Sequence, residues 1–107
     1  MSTPGGDVLA QLWAQVAHVA QSRVAVLERA LHAVLAAAPE ARELCGLAVE
    51  ECHKLVGSLD SYGRAGGSAL ALQAARALEG AQPDLAELRA AVAALRRLVG
   101  GTEQADA

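Results

Sequence analysis

Residues 7–35 read DVLAQLWAQVAHVAQSRVAVLERALHAVL. Leu9, Leu12, Trp13, Val16, Ala20, Val24, Leu27, Leu31, Val34 and Leu35 recur at steps of three and four, the spacing that lines one face of an α-helix. The stretch therefore predicts one long amphipathic helix, or two with a break near Ser22. Asp7 is the expected N-cap, and residues 1–6 are expected to be disordered. The apolar positions outrun what a short neighbouring helix covers, so the stripe could also support a coiled coil or a dimer.

The rest of the chain follows the same pattern. Ala36-Ala37-Ala38 leads into Pro39, which disfavours helix at the preceding residue but suits the first turn of a new one. Glu40 and Glu43 fit that second N-terminus. The second helix is expected to bury Leu44, Leu47, Ala48, Cys52, Leu55, Leu59 and Tyr62 and to stop at Gly63, a left-handed C′ residue. Gly66-Gly67 reads as a flexible link and Ser68 as the cap of a third helix carrying Leu70, Ala74, Ala77 and Leu78, ended by Gly80. Asp84 and Glu87 make a capping-box-like start for a fourth, with Leu85, Leu88, Val92, Leu95 and Val99 inward. Short connections between successive amphipathic helices imply antiparallel neighbours, hence an all-α, up-and-down four-helix bundle over residues 7–100, with a flexible acidic tail over 101–107.

Composition agrees. The 107 residues suffice for one domain, and a chain rich in Ala, Leu, Glu and Arg with few β-branched residues argues against sheet. A net charge of −3 and no basic cluster beyond Arg96-Arg97 argue against nucleic acid as partner. Those two arginines fall in the last turn of the fourth helix, where cations complement the macrodipole. No apolar run is long enough to span a membrane and Met1-Ser2-Thr3-Pro4 does not begin a signal peptide, so a soluble, cytoplasmic protein is expected. Cys45 and Cys52 stand seven apart on one helix, too far to bridge, and read as reduced core residues. No metal-ligand spacing is present, and no metal is expected.

Within the second helix, His53-Lys54-Leu55-Val56-Gly57-Ser58 places a histidine one turn before a glycine. In a helix residue i+4 lies over residue i, and at Gly57 no side chain does so. A glycine inside a helix costs about 1 kcal/mol relative to alanine, and this chain uses alanine freely elsewhere. Exposing the His53 ring to a docking partner would account for it. An imidazole with its ordinary pKa near 6.5 is largely neutral at cytoplasmic pH and offers a lone pair for attack. Phosphoryl transfer asks little more of an acceptor, since in-line positioning and charge neutralisation dominate. His18 and His32, in contrast, read as surface or boundary residues.

The segment from His53 to Gly63, with Leu55, Gly57 and Ser58 at their positions, resembles the signature of histidine-containing phosphotransfer (HPt) domains, four-helix bundles of bacterial two-component phosphorelays. The resemblance extends more loosely to the Leu12-Trp13 segment and to Ala77-Leu78-Glu79. It implies a cytoplasmic phosphoprotein in signal transduction. His53 would be the phosphoacceptor, Gly57 would clear space for the partner, and Gly63 would end the helix. It implies a phosphocarrier without kinase activity of its own. The partners would be response-regulator receiver domains and a sensor histidine kinase, with Mg²⁺ supplied by the receiver and no cofactor of its own. A monomer is expected. Lys54 and Ser58, and from the third helix Gln73 and Arg76, are the candidate supporting residues. Many members carry a lysine three residues after the histidine, where this chain has Val56; Lys54 points about 100° away and more naturally pairs with Glu50 or Glu51. The alternative is an HPt-like docking or dimerisation module that is not phosphorylated.

Overall fold

A computed structural model describes residues 4–101, with side chains from residue 8 onward. The described residues form four α-helices: α1 (Pro4–Leu35), α2 (Ala41–Val56), α3 (Gly67–Glu79) and α4 (Leu85–Val99), with a 3-10 turn at Asp60–Tyr62 between α2 and α3. Each helix packs on the next and α4 closes against α1, giving the expected up-and-down four-helix bundle. Leu27, Leu55, Leu59, Leu88, Leu95 and Val24 fill its core, with alanines 30, 48, 71, 74, 75 and 91 letting the helices approach closely. No described helix is long and apolar enough to cross a membrane.

Several expectations need correcting. α1 is unbroken through Ser22 and begins at Pro4, so Asp7 lies inside the helix rather than at its cap. A proline's fixed φ suits a first helical turn. The expected disorder of residues 1–3 and the acidic tail from 102 onward lie outside the described residues. α2 ends at Val56, about two turns before Gly63. Gly57 is its C-cap, and Gly63, left-handed at φ 81° as expected, closes the 3-10 turn instead. The chain turns at Gly57 because Ser58 and Leu59 both direct their N–H groups to the Leu55 carbonyl, which tightens the last turn. Leu47, expected inside, is 46% exposed, and Tyr62 is only half-buried.

The glycine link is also more than flexible. Gly66 takes a left-handed conformation, φ 85°, and is the N-cap of α3, a role expected of Ser68. A Cβ on Gly67 would lie 2.6 Å from Leu59 Cβ, so only glycine lets α3 start against the buried Leu59. The α3 N-terminus is instead satisfied from a distance: the Ser68 N–H donates to Asp60 Oδ1 at 3.1 Å, and the Ser68 hydroxyl donates to the Val56 carbonyl at 2.6 Å. These bonds tie the start of α3 to the end of α2. At α4 Asp84 is the N-cap as expected, its Oδ1 accepting from the Glu87 N–H at 3.1 Å, but the reciprocal half of a capping box does not form: the Asp84 N–H donates to the Ala77 carbonyl at 2.9 Å.

One tie was not foreseen. Arg96, expected to serve the α4 macrodipole, forms a bidentate pair with Glu28, Nε to Oε2 at 2.9 Å and Nη2 to Oε1 at 2.6 Å, both side chains largely buried. Arg96 Nη1 also donates to the Gly100 carbonyl, and Gln21 Nε2 donates to Val99 O at 3.0 Å. The end of α4 is thereby level with Gln21, and the N-terminal half of α1 runs on past it.

Candidate functional site

His53 lies in the last turn of α2 with 58% of its side chain exposed. The solvent-facing side of the helix around it carries small or polar groups: Gly46, Glu50 and Gly57 are all exposed. At Gly57 the backbone is right-handed, φ −79° and ψ −10°, a conformation any residue adopts. A Cβ there would meet only the Lys54 carbonyl at 3.7 Å and the His53 carbonyl at 4.0 Å, ordinary contacts within its own segment. Neither backbone conformation nor packing requires this glycine. Gly57 stands at the helix end rather than inside it, so its helix-propensity cost is smaller than the sequence reading supposed, but the space it leaves beside His53 is the same.

The other candidates divide. Ser58 donates from its hydroxyl to the Lys54 carbonyl at 3.0 Å, which satisfies one open carbonyl at the α2 C-terminus. Lys54 Nζ lies 3.0 Å from Glu51 Oε2, the partner expected for it, and Arg23 approaches the same carboxylate at 3.5 Å. Lys54 is therefore engaged on the α1 side. Val56 is half-buried and packs against the core, so position 56 points partly inward, not into solvent beside the ring.

The third helix brings a different residue from those expected. Gln73 donates to Glu87 Oε2 at 2.8 Å and, with Arg76, lines a groove between α3 and α4. Neither reaches His53. Glu79, in the last turn of α3, places Oε2 3.7 Å from His53 Nε2, with half of its own side chain exposed. Side chains lean toward the N-terminus of their own helix, so in antiparallel α2 and α3 His53 and Glu79 lean toward one another. The sequence contained Glu79 within a segment of loose resemblance but gave no signal of its contact, which depends on the rotation of α3 about its axis.

The thiols are not reactive groups. Cys52 is buried, and burial, with the negative charges of Glu79 and Glu51, pushes its pKa up to about 12. Burial also raises Cys45. Among the described residues no three His, Cys, Asp or Glu side chains are gathered as a metal site.

Trp13 is half-buried and carries the Arg64 guanidinium 4.2 Å above its ring. It joins α1 to the loop that follows the 3-10 turn. Comparison of the chain with protein-family models, curated proteins and solved structures gave no match.

Proposed function

We infer that the chain is a histidine phosphotransfer protein that relays a phosphoryl group to or from receiver-domain aspartates in a multistep two-component phosphorelay, through His53. The observation that carries this reading is an exposed imidazole one turn from a glycine that the fold does not need. A fold-neutral glycine beside an accessible nucleophile is what a docking partner requires, and a rigid four-helix bundle holds the ring on a fixed surface.

The chemistry balances with the groups at hand. A lone pair of the neutral His53 ring attacks phosphorus in line, the N–P bond forms as the aspartyl O–P bond breaks, and the receiver's carboxylate leaves with the electron pair. The other ring nitrogen keeps its proton. The receiver supplies Mg²⁺ and the cationic groups that neutralise the phosphoryl oxygens; this chain supplies the nucleophile and the surface.

A phosphorylation-independent docking module is the second reading, and Glu79 is the observation that favours it. A carboxylate 3.7 Å from the ring stands where an anionic phosphoryl group would arrive, and Val56 offers no compensating cation. One assay separates the two. A receiver domain carrying labelled phosphate is mixed with wild type and with His53→Gln. Relay predicts label on wild type only, with unchanged helicity in the variant and an adduct labile to acid but stable to alkali. Equal labelling of both would place the site elsewhere; no labelling by any cognate receiver would leave the docking module.

A further inference from the structure

We propose, resting on the reading that a receiver domain docks at His53, that the groove centred on Gly46 is the subsite by which this chain selects its receiver. It seats one apolar side chain of the receiver, flanked by an acidic group facing Arg42 and a basic group facing Glu50 and Glu79. Gly46, like Gly57, is a glycine that the fold does not need. It lies inside α2, so it bears the full cost of about 1 kcal/mol relative to alanine. A Cβ there would meet nothing within 4 Å. Arg42, Gly46, Glu50, His53 and Gly57 follow one another at helical steps of four, four, three and four, which places them on one face, and all five are exposed.

The occupant follows from where the groove lies. It measures about 720 Å³ and runs between α2 and the connection from α3 to α4. Val34, Cys45, Val49, Leu78 and Pro83 give it an apolar lining, none of them exposed, while Arg42, Glu50 and Glu79 stand at its exposed edges. Glu79 joins it to the site, because the same carboxylate lies 3.7 Å from His53 Nε2. Gly46 is about 10 Å from His53 along the helix axis, at 1.5 Å per residue. A standard interface covers about 800 Å² on each partner, a disc of roughly 16 Å radius. A receiver that reaches the His53 ring therefore covers the groove as well.

The charges say what enters. Among the described residues neither Arg42 nor Glu50 forms an ion pair. They stand about two turns apart with Gly46 midway, so the face presents a cation, an open apolar groove and an anion in that order along α2. A receiver segment with the complementary order gains from both charges. One with the reversed order meets like charge at both ends, and that repulsion discriminates among receivers.

The test uses the receiver that binds wild type most tightly in a screen of the cell's own receiver domains. Titration calorimetry reads docking, and labelling by the phosphorylated receiver or by phosphoramidate, a donor too small to need the groove, reads chemistry at His53. Gly46→Leu fills the groove without a clash and should keep or raise the melting temperature. It should bind the receiver about tenfold or more weakly, the loss of one buried apolar side chain from the interface. KM for the phosphorylated receiver should rise by the same factor with kcat within about twofold, and labelling by phosphoramidate should not change. Glu50→Arg should weaken receiver binding by up to about fivefold at low salt and less at high salt. A folded Gly46→Leu protein that binds and accepts phosphate like wild type overturns the subsite and leaves the relay standing. Unchanged binding by Glu50→Arg at low salt overturns the charge order. A wild type that binds the receiver more tightly than Gly46→Leu but is labelled by neither donor supports the subsite and overturns the relay alone; a wild type that binds no receiver overturns both.

Discussion

Replacing Gly67 by alanine drives a methyl group into the side chain on which α3 begins. The added carbon would sit 2.6 Å from Leu59 Cβ, 2.7 Å from Leu59 Cδ1 and 3.0 Å from Leu98 Cδ2. Carbon atoms pack at about 3.5–4.0 Å, so the overlap is on the order of 1 Å. Leu59 Cδ1 can rotate away, but Cβ is fixed to the backbone and Leu59 is 1% exposed, so the 3-10 segment or the first turn of α3 must move. Overpacking of this kind costs about 1–3 kcal/mol. At about 4–8 °C per kcal/mol for a domain near this size, the melting temperature should fall by about 4–24 °C. The control is Gly57→Ala, where φ is −79° and the nearest contacts are ordinary; reducing the freedom of the unfolded chain should stabilise by about 0.4–1 kcal/mol. Thermal and urea unfolding followed by circular dichroism read both. A Gly67→Ala protein as stable as wild type would refute the close-approach argument, and with it the view that this glycine sets the level of α3 against α2.

The remaining tests address the site. Gly57→Leu should block phosphotransfer while stability stays level or rises, since only the outward space is filled; loss of folding would mean that the glycine serves packing. Val56→Lys should alter transfer or phosphohistidine lifetime by no more than about tenfold, equivalent to about 1.4 kcal/mol, because a lysine at this half-buried position must run its stem along the core surface before its ammonium reaches solvent. A wild type inert toward every cognate receiver and switched on by Val56→Lys would leave the docking reading standing. Glu79→Gln removes an anion from beside the ring and should raise the yield of phosphohistidine by up to about fivefold, from an exposed-pair interaction of about 0.2–1 kcal/mol. The gain should shrink at high salt, and no change at low salt would show that the carboxylate does not face the transferred group.

The four helices and the Asp84 cap were legible in the sequence because they are local: a 3.6-residue apolar period and a capping side chain act within a few residues of themselves. So was the pairing of Lys54 with an acid one turn away, at Glu51. Where α2 stops was not, because an apolar stripe running through Leu59 and Tyr62 reads the same whether the helix continues or breaks into a tighter turn that still buries Leu59. The pairing of Glu79 rather than Gln73 or Arg76 with His53, the contact of Gly67 with Leu59, and the Glu28–Arg96 pair each join residues on different elements. Such contacts depend on the axial level and rotation of one helix against another, which periodicity leaves open. They are fixed only when all four apolar faces pack at once, and that simultaneous packing is the contribution of the tertiary structure.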